Sequence, residues 1–247
     1  MTLRAYDPPY VPLSGLDEAL ARRGFALLSA ADVRQWLHTD AAALESLHES
    51  WDRLPPDAFL KDGGRYRRRR HSCFVVEGGV VRQAPHRAHW QPLEYNALHG
   101  GMQRWFEPME LAVASSPLWQ RLLVTLGEAV SALHGPRSWY VEAHPFRIDT
   151  TDGIGRPTPE GAHRDGVDLV AVFMLGRQGI KGGESRVFEA DGPAGQRFTL
   201  TEPWSLLLLD DARVIHETTP IQPLVAGELG WRDTLVLTYR REGFQGG

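Results

Sequence analysis

The chain has 247 residues, of which 42% are hydrophobic and 23% charged, and its formal net charge is −4 at pH 7. This balance is that of an ordinary globular protein and excludes a general attraction to nucleic acid or anionic membranes. No apolar run approaches the ~20 residues of a membrane span, and the N-terminus lacks the apolar core of a signal peptide. The single Cys73 can form no internal disulfide. We therefore predict one cytoplasmic domain over residues 1–247.

Residues 1–137 are predicted to form a mainly helical support region. Apolar residues recur there with helical period in three segments, and Gly24 and Gly135 stand where helices commonly end. The elements predicted in this region are a helix at 16–23, a strand at 25–28, a helix from about 29 to 51, a strand at 65–76 and a helix at 117–133.

The sequence pattern changes after residue 137, and residues 138–247 predict a β-rich core. Short β-branched and aromatic runs alternate there with clusters of Gly, Pro and Asp, which is typical of a sandwich or barrel. The predicted strands cover 139–149, 167–175, 185–189, 197–201, 204–209, 213–218 and 233–240.

Two His-x-Asp motifs occur in the chain, and their predicted backbones differ. His38 and Asp40 fall within the predicted helix at 29–51, where residues two apart point away from each other. His163 and Asp165 precede a predicted strand, and residues two apart on extended backbone share a face. Only the second motif can therefore direct both side chains at one metal ion.

A third candidate ligand, His216, follows Asp165 by fifty-one residues at the end of an apolar run. Two imidazoles and one carboxylate form the ligand set that binds non-haem Fe(II) on one face and leaves the opposite positions open. We predict His163, Asp165 and His216 as metal ligands and catalytic residues.

With these motifs, the chain resembles iron(II)- and 2-oxoglutarate-dependent dioxygenases, and more narrowly the bacterial family that includes L-isoleucine 4-hydroxylase and biofilm-stress-associated proteins. Weaker similarity covers Gln91–Asn96, Gly100-Gly101 and Arg104. The most specific stretches are His163-Arg-Asp-Gly-Val-Asp, Lys181-Gly-Gly-Glu-Ser, Asp210-Asp-Ala-Arg-Val-Ile-His-Glu-Thr-Thr-Pro and Arg232-Asp-Thr-Leu-Val-Leu-Thr-Tyr.

The resemblance implies an α+β, mainly β fold with a double-stranded β-helix core, which is a jelly roll of the cupin-like kind, and an N-terminal helical layer. It also implies Fe(II), 2-oxoglutarate as cosubstrate and O₂, with release of succinate and CO₂. Arg232 matches the family's arginine for the far carboxylate of 2-oxoglutarate, and Arg240 is the alternative. Thr234 would share the face of Arg232 on a regular strand and bind the same carboxylate.

Five arginines crowd residues 65–70. Clustered arginines are typical of phosphate binding, but the run is short and no nucleic-acid module accompanies it. On a strand, Arg67 and Arg69 would face one side, and Arg68 and Arg70 the other. One face is expected to be solvated, and the other is a hypothetical clamp for the carboxylate of a free amino acid.

The remaining histidines show no second metal spacing and are interpreted as surface or hydrogen-bonded residues. Asp210 and Asp211 are expected to form a turn rather than to replace Asp165 as a ligand, and Asp168 is a candidate to orient neighbouring groups.

The leading functional prediction is hydroxylation of a small molecule, with a free aliphatic L-amino acid as the predicted substrate. Nucleic-acid and membrane partners are not expected, and homo-oligomerisation is left open. Three alternatives remain: a peptide or protein hydroxylase, a non-catalytic cupin-like binding or sensor protein, and a hydrolytic zinc site.

Overall fold

The computed structural model describes residues 6–246. The helices are α1 (Leu16–Arg23), α2 (Ala30–Trp36), α3 (Ala41–His48), α4 (Leu111–Ala114) and α5 (Pro117–His134). The strands are β1 (Phe25–Leu28), β2 (Arg67–Arg69), β3 (Ser72–Glu77), β4 (Val80–Gln83), β5 (Trp139–Asp149), β6 (Leu169–Gln178), β7 (Ile180–Gly182), β8 (Ser185–Glu189), β9 (Gly195–Phe198), β10 (Ser205–Asp210), β11 (Val214–Thr218), β12 (Ile221–Pro223) and β13 (Trp231–Arg240).

A large antiparallel sheet organises the molecule in the order β1-β10-β6-β13-β5-β3-β4, and β2 pairs with β5. The long central strand β13 lies between β5 and β6. Two smaller sheets, β11-β8-β9 and β12-β7, complete the β structure. The mainly β jelly-roll fold predicted from the sequence is thereby confirmed.

Side-chain alternation gives the large sheet two different faces. Leu206 and Leu208 of β10 pack with the helices in one apolar core, while Leu207 and Leu209 pack in a second core against the small sheet β11-β8-β9. Strand β5 divides in the same way, because Val141 and Ala143 belong to the helix-side core. The opposite face of β5 is left for the cavity described below.

Local signals fix where several helices begin and end. Gly24 ends α1 in the left-handed conformation at φ 74°, which glycine adopts without a Cβ penalty. The hydroxyl of Ser116 accepts from the backbone N–H of Trp119 at the start of α5, and Pro117 follows at a position where a missing N–H costs nothing. The helix predicted at 117–133 is confirmed.

The prediction of one helix from about 29 to 51 is wrong. The chain forms α2 and α3, which are separated by His38 in a left-handed conformation at φ 46°. Asp40 then caps α3 by accepting the backbone N–H of Ala43 at 2.8 Å. A capping carboxylate offers the backbone an alternative to continued helix, so the same apolar period covers two helices.

The strand predicted at 65–76 is also interrupted. Strands β2 and β3 are separate elements, and the backbone N–H of His71 between them donates to the carbonyl of Glu107. The short strands β4, β7 and β12 had not been predicted. Within residues 6–246, none of the helices has the length and apolar character needed to cross a membrane.

Candidate active site

His163, Asp165 and His216, here called the triad, meet at one edge of the β structure. His216 lies in the middle of β11, and an isolated antiparallel bridge joins it to His163. The backbone N–H groups of these two histidines each donate to the carbonyl of the other, at 3.0 and 2.9 Å. The backbone therefore sets the separation of the two imidazoles before their side chains are considered.

The potential ligand atoms of the triad all lie within 4.8 Å of one another. Asp165 presents Oδ1 at 3.8 Å from Nε2 of His163 and Oδ2 at 3.6 Å from Nε2 of His216. Nδ1 of His163 lies 2.9 Å from the carbonyl of Gly161 and must donate to it, so Nε2 keeps its lone pair. This donor set fits a divalent iron ion.

Asp211 holds the loop that carries Asp165. Its carboxylate accepts the backbone N–H groups of Asp165, Gly166 and Val167 at 3.0, 2.8 and 3.1 Å. Asp211 is therefore a partner of the triad loop, which agrees with the expectation that it does not take the place of Asp165. Asp168 instead pairs with Arg241 outside this set of contacts.

Gln91 connects the triad to a buried arginine. Its Oε1 accepts from Asn96 at 3.0 Å and from the guanidinium of Arg104 at 3.1 Å. Because both neighbours are donors, the amide is oriented with Nε2 toward Asp165, and Nε2 donates to Oδ1 at 3.3 Å.

Arg232 of β13 is only 3% exposed and lines the cavity next to the triad, as does Thr234. Within residues 6–246, no carboxylate lies within 4.0 Å of the Arg232 guanidinium, and its Nε is buried without a hydrogen-bond partner. Burial and the nearby charge of Arg177 lower the pKa of Arg232 to about 9. A buried cation without an anion fits the far carboxylate of 2-oxoglutarate.

Asp233 anchors the opposite face of the same strand. It is fully buried, accepts two hydrogen bonds from Arg147 at 2.8 and 2.6 Å, and lies 2.8 Å from Nε2 of His48. These contacts connect β13 to the helical layer and fix the side from which Arg232 and Thr234 project.

The arginine run divides between two faces as the alternation predicted. Arg67 and Arg69 are buried and line the cavity, whereas Arg68 and Arg70 are partly exposed. Arg67 is paired with the buried Asp57 at 2.7 Å. The run is therefore not one continuous basic surface.

Arg69 and Arg104 form a second cationic position in the cavity. Neither has a carboxylate within 4.0 Å in the part of the chain that the structure describes. The guanidinium of Arg69 lies between two rings, 3.9 Å from the centroid of Phe106 and 4.4 Å from that of Phe146. Burial lowers the pKa of both arginines, that of Arg104 to about 10.

A second group of histidines had not been predicted from the sequence. Glu142, His71, His89 and His144, here called the Glu142 cluster, are all buried, and their potential ligand atoms also lie within 4.8 Å of one another. Nε2 of His71 and Nδ1 of His89 each lie 2.8 Å from Oε2 of Glu142. A usable signal was present, because Glu142 and His144 alternate on the predicted strand 139–149 and share a face.

One cavity joins these groups. It encloses about 980 Å³, including its opening to solvent, and its wall contains the triad, Arg232, Arg69, Arg104 and Glu142. Apolar side chains complete the wall: Phe146, Ile148, Val167, Val172 and Val236. A convergent set of polar and charged groups in a recess with some apolar wall is typical of a small-molecule site.

Residues 48–238 match the family described as 2OG-Fe dioxygenase. Because the match covers more than half of the chain, the protein belongs to this family and is a 2-oxoglutarate-dependent iron dioxygenase. The family uses Fe(II), 2-oxoglutarate and O₂. No curated protein matches the chain.

Solved structures agree with this assignment. A bsmA homolog from Methylobium petroleophilum PM1 is 50% identical, with a TM-score of 0.91 over 99% of both chains. IDO from Bacillus thuringiensis has 16% identity and a TM-score of 0.75, over 93% of this chain and 99% of the other. The Fe(II)/(alpha)ketoglutarate-dependent dioxygenase TqaL has 20% identity and a TM-score of 0.71, over 95% and 88%. The last two similarities concern the fold alone.

Proposed function

We propose that this dioxygenase hydroxylates a free aliphatic L-amino acid, as the resemblance to the isoleucine hydroxylase family implies. The observation that carries the proposal is the presence of two separate buried cationic positions on the wall of one cavity: Arg232, and Arg69 with Arg104. Each lacks a carboxylate partner within the described chain. One position suits the cosubstrate, and the other suits a substrate that has a carboxylate of its own.

In this proposal, His163, Asp165 and His216 would hold Fe(II), which together with 2-oxoglutarate and O₂ would supply the chemistry for oxygen insertion into a C–H bond. Arg232 binds the far carboxylate of 2-oxoglutarate through its two-pronged guanidinium, and the hydroxyl of Thr234 assists. Asp211 and Gln91 orient Asp165 by the contacts described above, and partners of this kind fix the direction in which a ligand points.

The proposed substrate follows from the rest of the wall. Arg69 and Arg104 would bind the substrate carboxylate, which sets the position of the remaining atoms. The valines and Phe146 offer apolar contact to an aliphatic side chain. The guanidinium of Arg69 is already held between aromatic rings, so little side-chain freedom is lost when an anion binds.

The test is anaerobic incubation of the Fe(II)-loaded protein with 2-oxoglutarate and a pool of free L-amino acids, followed by admission of O₂. Succinate and oxygenated products are then measured by mass spectrometry. Succinate that depends on an amino acid, with a product heavier by one oxygen atom, supports the proposal. Asp165→Ala serves as the matched control and is expected to lose both signals.

Two other outcomes have separate meanings. Succinate without an oxygenated amino acid would support dioxygenase activity but overturn the proposed substrate. A pool of peptides would then be tested in place of the amino acids. No succinate under any condition, with iron shown to be bound, contradicts the proposed roles of the site residues.

A further inference from the structure

The Glu142 cluster shares the cavity wall with the proposed substrate cations, although it is not part of the triad. Glu142, His89 and His144 line the cavity, and His71 lies behind them with no exposed surface. Burial of a carboxylate removes its hydration, so a carboxylate in a substrate cavity needs a partner whose interaction offsets this loss. The arrangement of its hydrogen bonds indicates what that partner is.

Only one oxygen of Glu142 is used within the described residues. His71 and His89 both donate to Oε2, and Oε1 accepts no hydrogen bond from residues 6–246. Oε1 is not fully enclosed by protein atoms, so it retains access to the cavity. Burial alone would raise the pKa of Glu142, but the two imidazole hydrogen bonds hold it well below its usual range. The carboxylate is therefore an anion with one free oxygen.

The hydrogen-bond directions favour an organic cation over a metal ion as the partner of Glu142. A carboxylate only accepts, so His71 Nε2 and His89 Nδ1 carry hydrogens and present no lone pair to the centre of the cluster. Nδ1 of His144 accepts from Arg69 at 2.7 Å, which places the hydrogen of neutral His144 on Nε2. Two guanidiniums nearby add further repulsion for a cation of charge two.

Glu142 shares the cavity wall with the proposed carboxylate-binding position. His144 lies between Arg69 and Glu142, with its Nδ1 2.7 Å from Arg69 and its Nε2 3.9 Å from Glu142 Oε2. On the other side, His89 bonds Glu142 and pairs by backbone hydrogen bonds with Arg104. The imidazole of His144 thus lies between the anion and the guanidinium of Arg69. An α-amino acid carries its ammonium and its carboxylate on one carbon atom, so it needs an anion and a cation close together.

We propose that Oε1 of Glu142 binds the α-ammonium group of the substrate, while Arg69 and Arg104 bind its α-carboxylate. The inference rests on the proposed function and specifies it: the site selects zwitterionic α-amino acids over carboxylic acids that lack the amino group. Glu142 is a specificity-determining residue in this scheme. His71 and His89 are positioning residues, because they act through Glu142.

Glu160 is the competing carboxylate. It lines the same cavity, and its Oε1 lies 3.6 Å from Nε2 of His163. An ammonium bound there would lie beside the proposed metal ligand His163 rather than beside Arg69. Glu142 instead lies near Arg69, because His144 contacts that guanidinium and lies next to the Glu142 carboxylate.

The first measurement uses the wild-type protein and needs no substitution. Binding of L-leucine, L-isoleucine and L-methionine is measured anaerobically by calorimetry with Fe(II) and 2-oxoglutarate present. Each amino acid is compared with the acid that lacks its amino group: 4-methylpentanoate, 3-methylpentanoate and 4-(methylthio)butanoate. We expect the amino acid that supports succinate formation to bind at least about 30-fold more tightly than its counterpart, because a buried charge pair is lost. Equal binding overturns the proposal.

The second measurement repeats the comparison with Glu142→Gln and Glu160→Gln. Glu142→Gln keeps the shape of the side chain and is expected to abolish the preference by weakening the amino acid about 30-fold, with the amino-free acid little changed. The amino-free acid and 2-oxoglutarate report whether the variant is folded. Loss of the preference in Glu160→Gln but not in Glu142→Gln overturns the assignment to Glu142.

Metal content separates the remaining outcomes. A second equivalent of Zn(II) that binds the wild-type protein and is lost in Glu142→Gln would overturn the proposal in favour of a second metal site. Failure of the proposed function has a different signature: no succinate forms with any amino acid, whatever the binding preference. Succinate formation with equal use of both ligand classes removes only the role of Glu142.

Discussion

The triad and the Glu142 cluster contain the same kinds of side chain but differ in where their hydrogens lie. Both groups place their potential ligand atoms within 4.8 Å of one another. In the triad, His163 donates its Nδ1 hydrogen away from the centre, to the carbonyl of Gly161, while Nδ1 of His216 has no partner among the described residues. In the Glu142 cluster, His71 and His89 donate inward, to the carboxylate itself.

The comparison shows that proximity of histidines and carboxylates does not define a metal site by itself. An imidazole that donates outward presents a lone pair to a cation, and one that donates inward satisfies an anion. The first arrangement suits iron, and the second keeps a carboxylate ionised for another partner. The surrounding groups agree, because the carboxylate of Asp211 supports the triad loop and Arg69 supports the Glu142 cluster.

The strongest test of this contrast removes one carboxylate from each group. Asp165→Ala is expected to weaken Fe(II) binding by more than about 100-fold and to abolish succinate formation. Even residues that only hydrogen-bond to a metal ligand contribute about 10–100-fold to metal affinity. Glu142→Gln is expected to keep one iron per chain. Metal content after equilibrium dialysis and anaerobic titration measure both. Equal loss of iron in the two variants would contradict the distinction.

Arg232 provides a test of the cation proposed to bind 2-oxoglutarate. Arg232→Ala is expected to raise the KM for 2-oxoglutarate by about 30-fold or more, because the cosubstrate carboxylate loses its buried partner. Arg177→Gln is the matched control: it removes a neighbouring guanidinium that bonds only backbone carbonyls within the described residues. Steady-state succinate formation gives the KM values. An unchanged KM in Arg232→Ala would move the cosubstrate elsewhere in the cavity.

Asp211 tests how far the triad depends on its supporting loop. Asp211→Asn removes the charge that accepts three backbone N–H groups, and we expect Fe(II) affinity to fall by about 10-fold to 100-fold. Asp210→Asn lies one residue away and is expected to change the affinity little. Fe(II) titration followed by tryptophan fluorescence measures the difference. The same affinity in both variants would show that the loop holds Asp165 without Asp211.

The Glu142 cluster predicts the smallest effect, a loss of stability in mild acid. Burial lowers the pKa of His89 to about 3, below its value of ~6.5 in an unfolded chain. Between these values the unfolded state binds more protons, so the free energy of unfolding falls as pH falls below about 6.5. His89 alone should contribute a loss of about 1.4 kcal/mol at pH 5.5, and His71 and His144 act in the same direction.

Thermal unfolding at pH 7.5 and pH 5.5 measures this effect. A loss of 1.4 kcal/mol corresponds to a decrease in Tm of about 3–5 °C for a protein of this size. His89→Gln cannot be protonated and is expected to show a smaller decrease than the wild type. A pH dependence of Tm that is identical in the two proteins would show that His89 is not buried in neutral form.

The sequence allowed the triad to be anticipated because its chemistry is concentrated in a short motif. His163 and Asp165 are two residues apart beside a strand, and His216 ends an apolar run. Arg232 could be placed because it precedes a run that matches the family. The alternating short strands indicated a sandwich or barrel, the family resemblance implied the jelly roll, and residues 139–149 and 185–189 were predicted with the bounds that the structure gives.

The Glu142 cluster was not predicted from the sequence because its members come from distant segments. His71 precedes β3, His89 lies in an irregular stretch, and Glu142 with His144 belongs to β5. Their proximity depends on the pairing of β3 with β5, which no local spacing reveals. The break at His38 was missed for another reason: apolar period reports which side is buried, and it continues across a cap.

The alternation along β5 also bears on how this enzyme can be altered. Glu142, His144, Phe146 and Ile148 point into the cavity, while Val141 and Ala143 lie in the apolar core on the other side. Substrate range can therefore drift, or be redirected in a mutant library, through alternate positions of one strand without disturbing the packing that holds the fold. A one-residue insertion in that strand would instead exchange the two sets. Selectivity can therefore change through substitutions in β5, but not through insertions or deletions in that strand.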